Sequence, residues 1–211
     1  MNQRITNLRT KMKAQDLKAV LINNLKNVYY LTGFWGSNGT VLVTEERVVL
    51  FTDSRYTIHA HATCFPFVEI VETRNELEEA AKIVKDAAIH ELGFEDEITV
   101  AYQTRLATAF SGVSLRALSD FVMEFRLIKD ETEVATIRKA CSISDQAFLD
   151  VLEFIKVGQT TELEAATFLD FRMRELGASG VSFDIISAAG ERSAMPHATP
   201  SDRIISAGDA L

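Results

Sequence analysis

The chain has 211 residues, 47% hydrophobic and 25% charged, with 22 Lys+Arg against 30 Asp+Glu and a formal net charge of -8. That balance describes a soluble globular protein with ample core material and excludes intrinsic disorder. The carboxylate excess would repel phosphates, which excludes a nucleic-acid or anionic-membrane surface. Cys64 and Cys141 form no CxxC pair and are too few to staple a framework, so a reducing compartment, the cytoplasm, is expected. The N-terminus lacks the apolar region of a secretory signal, and no apolar run approaches the roughly 20 residues that span a bilayer.

Ile5, Leu8 and Met12 recur at helical spacing, so the chain is predicted to open on a helix. Lys18–Ile22 reads as a buried strand, Asn27–Leu31 as a short helix or turn, and Thr32–Gly39 as a loop rich in glycine. Val41–Val43 and Val48–Phe51 read as two strands joined by a hairpin through Glu45-Glu46-Arg47. A helix is predicted over Ser54–Ala62, a strand over Phe67–Val71, and a helix over Asn75–His90 with Leu77, Ala81, Val84 and Ala88 on one face. Leu92-Gly93-Phe94 adds a short strand. Alternating strands and helices over about the first 125 residues argue for an α/β layer fold.

The pattern changes after Lys129. Asp130 with Glu133 is an N-cap signature, followed by an apolar stripe of Val134, Ile137, Cys141, Phe148, Val151, Leu152 and Ile155 and a stop at Gly158. Thr161 with Glu164 is a second capping box, opening a helix that carries Leu163, Ala166, Leu169, Phe171 and Met173 and ends at Gly177. Phe183–Ile186 and Arg203–Ile205 are strand-like and flank a polar loop. Ala207–Leu211 reads as a turn entering a further apolar run, so the chain is expected to be a piece of a longer polypeptide.

Histidine is the commonest general base and metal ligand. His59 and His61 fall on a predicted helix, where positions two apart diverge, so both are expected to be solvated; His90 is expected to end a helix. His197 differs, because Pro196 and Pro200 restrict the backbone around it and lower the entropy lost on ordering its loop. It is either a rigidly mounted functional imidazole or a loop histidine bonded to nearby backbone. No spacing of His, Cys and carboxylates announces a metal site. Gly33, Gly36 and Gly39 match neither a dinucleotide nor a phosphate-loop pattern and are expected to serve a turn and a close backbone approach. Trp35, the only tryptophan, is ordinarily packed onto its own domain; the other reading presents it to a ligand or partner.

Five segments occur in register: Tyr30–Phe34, Phe51–Tyr56, Arg126–Glu133, Ser182–Ile186 and Met195-Pro196-His197. Together they resemble the Xaa-Pro peptidases, prolidase and aminopeptidase P, within the creatinase/methionine-aminopeptidase superfamily. The resemblance implies an α/β fold: a creatinase-type N-terminal domain with a mixed sheet and flanking helices over residues 1–127, then the first α+β half of a pita-bread catalytic domain over residues 128–211. It implies a cytoplasmic hydrolase that cleaves the bond preceding proline in di- or oligopeptides and dimerises through its N-terminal domain. The full-length parent would use two divalent ions (manganese, cobalt or zinc) to activate water and polarise the carbonyl. The matching metal ligands would lie beyond Leu211, so no metal is expected on this chain, which is expected to be inactive alone; Asp184, Asp202 and Asp209 match none of them. By the same resemblance His197 contacts the substrate or tetrahedral intermediate, and Trp35 has a substrate-side role at a neighbour's site. Two other readings stand beside it, a metal-free creatinase-like hydrolase that shares the fold and a non-catalytic dimerisation module; the Tyr30–Phe34 and Phe183-Asp184 motifs favour the peptidase.

Overall fold

The computed structural model describes residues 2–211, and the chain divides into two units, Met1–Ile128 and Lys129–Leu211. In the first, α1 (Gln3–Ala14), β1 (Ala19–Ile22), α2 (Leu25–Thr32), β2 (Thr40–Thr44) and β3 (Val48–Thr52) are followed by α3 (Thr57–Thr63), β4 (Glu69–Glu72) and α4 (Glu76–Asp86). Next come β5 (Glu91–Glu95), α5 (Val100–Ala109), β6 (Ser114–Leu118) and α6 (Met123–Leu127). The strands form one mixed sheet in the order β4-β3-β2-β1-β5-β6. Antiparallel β1–β2 and β2–β3 pairs lie at its centre, and β4, β5 and β6 join in parallel.

Period-two alternation divides the sheet's side chains between two cores. Val20, Ile22, Val41, Val43 and Leu50 face Ile5, Leu8 and Met12 of α1 and Val28 and Leu31 of α2. Ala19, Leu21, Leu42, Val49 and Phe51 face Leu77, Ala81 and Val84 of α4 and Leu106 of α5. A sheet covered on both faces explains why its central strands are unbroken apolar runs. The observed arrangement is the α/β fold expected from the sequence. A buried carboxylate ties β5 to α2: Glu95 accepts the N–H groups of Asn23 and Asn24 at 2.8 and 2.7 Å and the Asn27 amide at 2.5 Å.

Three elements have no counterpart in the sequence reading, α5, β6 and the five-residue α6. On α5 only Leu106 is buried and Val100 is 79% exposed, so the apolar stripe that signals a helix is nearly absent. Edge strand β6 buries only Leu118. Helix α4 ends at Asp86, short of the predicted His90, because Ala88 takes a left-handed φ of 51°. His90 therefore precedes β5, where its carbonyl accepts the Ser114 N–H at 2.8 Å.

In the second unit both capping boxes form as expected, opening α7 (Glu131–Phe154) at Asp130 and α8 (Glu162–Glu175) at Thr161. Val151, Ala165, Ala189 and Ile205 form its core, with Ile155, Phe168 and Leu169 packed on it. Helix α7 stops at Ile155, before Gly158. Its predicted stripe is mostly outward: Ile137, Phe148 and Leu152 are exposed, and Ile143, Ala147 and Val151 make the buried face. Phe183–Ile186 is not a strand, and Arg203–Ile205 contributes only an isolated bridge between Ile204 and Thr161. A strand needs a ladder to satisfy its backbone groups, and the described residues of this unit provide no partner strand there. Instead a 3-10 turn covers Gly190–Ala194. Among the described residues no helix is long and apolar enough to cross a membrane.

Candidate functional site

His197 lies in a turn just after Pro196, within the loop that links Ala189 to Ser201. The loop is fastened to the start of α8 by a residue absent from the sequence reading, Glu162. As the first helical residue after Thr161, its carboxylate is fully buried and accepts from both ends of the loop. One oxygen takes the Ala189 N–H at 2.8 Å; the other takes the Ser201 N–H at 3.1 Å and its hydroxyl at 2.7 Å. The Arg192 Nε–H lies 3.0 and 3.2 Å from the two oxygens, and its Nη2 donates across the loop to the Thr199 carbonyl at 2.7 Å. Burial pushes the Glu162 carboxyl up, yet the donors from Ala189, Ser201 and Arg192 outweigh it and hold the group below its ordinary value. Beside His197, Ala198 is buried, whereas the imidazole itself is exposed. The mount is fixed and the imidazole reaches solvent, an arrangement suited to donating or accepting a proton at a molecule bound outside the loop. The signal for Glu162 was its adjacency to a capping Thr161, a position where the helix dipole favours an anion.

Trp35, on the first unit, is 73% exposed, which overturns the packed reading. Its neighbours in sequence do the packing. Phe34 is buried, with its ring edge-on to Tyr56 at 5.5 Å and to His59 at 5.9 Å. The Tyr56 hydroxyl accepts the Ser37 N–H at 3.0 Å and shares a hydrogen bond with the Ser37 hydroxyl at 2.6 Å, which pulls the phenol below its ordinary value. Asn38 donates to Asp53 at 2.6 Å, and Asp53 is paired with Arg55 at 2.7 Å. A Cβ on Gly36 would come within 2.6 Å of Phe34 Cζ, so the close approach expected of these glycines occurs there. His59 is not solvated as expected: it is half-buried in the aromatic group, and its Nε2 is buried without a hydrogen-bond partner. His61 is exposed.

The acidic residues of the second unit do not fit a metal centre. Asp209 is occupied by the Arg203 guanidinium at 2.6 and 3.1 Å and the Ser206 N–H at 2.8 Å, and Asp184 and Asp202 are exposed. No three His, Cys, Asp or Glu side chains gather in a metal-holding geometry among the described residues. Neither cysteine is in a disulfide; burial pushes the Cys64 thiol up to about 11.

Comparison with known proteins follows the two units. Residues 135–211 match metallopeptidase family M24. An Xaa-Pro dipeptidase of Pyrococcus horikoshii is 31% identical over 99% of the chain. Among solved structures, the Xaa-Pro dipeptidase of Bacillus anthracis superposes with a TM-score of 0.89 at 35% identity over 98% of the chain. The X-Pro aminopeptidase of Thermotoga maritima does so at 0.87 and 34% identity over 97%. The chain spans 58% of the length of each of these three. Residues 4–128, which include the sheet, both of its cores and the Trp35 loop, match the creatinase/prolidase N-terminal domain, and it is to that family that this chain belongs.

Proposed function

We propose that this chain belongs to a metal-dependent Xaa-Pro peptidase that hydrolyses the bond preceding proline in di- or oligopeptides. One observation carries the reading. The N-terminal domain pattern and the metallopeptidase pattern follow one another at residues 4–128 and 135–211, and both lie within the stretch that aligns with Xaa-Pro dipeptidases over 98–99% of the chain. Residues 1–127 are the creatinase-like domain and residues 128–211 the first half of the catalytic domain, a division supported by the two units parting after Ile128. The protein works in the cytoplasm, a reading supported by its two free cysteines.

His197 is the residue of this chain that touches the reaction. Its ring N–H donates to the oxygen of the carbonyl under attack, where negative charge develops, and a donor so placed is worth about 3–4 kcal/mol in the transition state. Trp35 contributes an apolar wall to substrate in a second copy of the chain, the N-terminal domain being the dimer surface; its exposure on a pinned loop supports that role. The divalent ions, manganese, cobalt or zinc, are held by residues outside this chain.

The test is hydrolysis of Leu-Pro by the complete polypeptide with Mn²⁺. His197→Ala should lower kcat about 100-fold or more and leave the melting temperature nearly unchanged. Parallel losses of stability and activity would assign His197 to structure. Hydrolysis by residues 1–211 alone would overturn the assignment of the ions to other residues.

A further inference from the structure

The geometry points to Glu162 as the positioning residue for His197: one buried carboxylate clamps the entry and the exit of the loop that carries the imidazole. The inference rests on the reading of His197 as the group that meets the reacting carbonyl.

Two independent anchors meet on this side chain. Ala189 N–H, where the chain enters the loop, lies 2.8 Å from Oε1, and Ser201, where it leaves, gives Oε2 its N–H at 3.1 Å and its hydroxyl at 2.7 Å. Arg192 turns the clamp into a frame, because the guanidinium that pairs with Glu162 at 3.0 Å also holds the Thr199 carbonyl at 2.7 Å. Neighbouring backbone reinforces it: the Glu162 N–H donates to the Arg203 carbonyl at 3.0 Å and the Leu163 N–H to the Ser201 carbonyl at 3.0 Å. The main chain is therefore fixed on both sides of His197. A buried carboxylate without these donors would be strongly disfavoured, so carboxylate and loop order one another.

The site demands an anion rather than any residue of that size. Every group facing the carboxylate is a donor, and it needs four of them at once. An amide in its place offers one acceptor oxygen and turns an NH₂ toward donors. Glu162→Gln keeps the shape and releases one end of the loop. Ser201→Ala removes one hydroxyl and keeps the charge, so it serves as the milder variant if Glu162→Gln does not fold.

Hydrogen exchange on this chain and kinetics on the complete polypeptide test the idea together. In Glu162→Gln the amide at the released end of the loop, Ala189 or Ser201, should exchange at least about tenfold faster, with the sheet of the first unit unchanged. With Leu-Pro, kcat should fall about tenfold or more while KM stays within about threefold, since a displaced donor is missed in the transition state. Ser201→Ala should move both readouts the same way by less. Unchanged exchange at Ala189 and Ser201 would overturn the clamp. Faster exchange with unchanged kcat, in a protein whose His197→Ala variant has lost kcat, would overturn the positioning role and leave His197 in place. An unchanged kcat in His197→Ala would instead remove the underlying reading, and the positioning role with it.

Discussion

Phe34 and Trp35 are adjacent and face opposite ways: the phenylalanine ring is 1% exposed beneath the loop, and the indole is 73% exposed above it. The buried ring fixes the loop, so the exposed one is mounted rather than loose. Because Trp35 is the only tryptophan, its fluorescence reports on this loop alone.

Replacing Gly36 by alanine tests that mount. The new Cβ would lie 2.6 Å from Phe34 Cζ and 3.0 Å from Tyr56 Cε1, so the rings must give way. Overpacking of this kind costs about 1–3 kcal/mol. Gly36→Ala should lower both the melting temperature and the steady-state anisotropy of Trp35. Retention of both values would mean the loop tolerates the methyl group.

Tyr56→Phe removes a hydroxyl and keeps the ring against Phe34. Ser37 then loses its partner for both the backbone N–H and the side-chain hydroxyl. A small loss of stability is expected, with lower anisotropy of Trp35 and an intact sheet by circular dichroism. An anisotropy equal to wild type would show that the aromatic packing alone holds the loop.

Asp53 provides a pH test. The Arg55 side chain first, and then the Asn38 amide, hold its carboxyl well below the usual carboxylate range. A depressed native value means that the unfolded chain binds the proton more readily, so the stabilisation is present above the unfolded value near about 3.9 and is lost as pH falls below it. Wild type and Asp53→Asn should converge in melting temperature between about pH 4 and pH 2 and differ most above about pH 5. Parallel curves across that whole range would remove Asp53 as a source of acid sensitivity.

Glu95→Ala strips the start of α2 of its acceptor. Three N–H donors lose it: the buried Asn27 amide and the half-buried backbone N–H groups of Asn23 and Asn24. At about 1–3 kcal/mol for each unsatisfied buried donor, the loss should be on the order of 3 kcal/mol, read by urea denaturation. Burial pushes the Glu95 carboxyl up despite these donors, so its ionisation opposes folding as pH rises through that raised native value. Glu95→Gln should therefore lose less than Glu95→Ala, and the loss of both relative to wild type should shrink as pH rises, because only wild type carries the carboxyl. A loss under about 0.5 kcal/mol in Glu95→Ala would show that water replaces the carboxylate there.

What could be read from the residues was local. Asp130 with Glu133 and Thr161 with Glu164 open helices because the caps are satisfied within one turn. Likewise β1, β2 and β3 are apolar on both faces, so their composition declares them. Helix α5 and edge strand β6 were illegible for the converse reason: each buries one hydrophobic residue within the element, too few to set a period.

Chain order alone therefore determined the alternating layers, the capped helices and the family resemblance, all of which depend on neighbours within a few residues or on segments in fixed succession. Tertiary structure decided the rest. Trp35 is exposed while its neighbour Phe34 is the ring that packs, against Tyr56 and His59, residues that only folding brings to it. Phe183–Ile186 makes no strand because backbone groups pair only where a partner is brought alongside. Glu162 holds the His197 loop through donors as distant in sequence as Ser201, and hydrogen bonds of that reach exist only once the chain has folded.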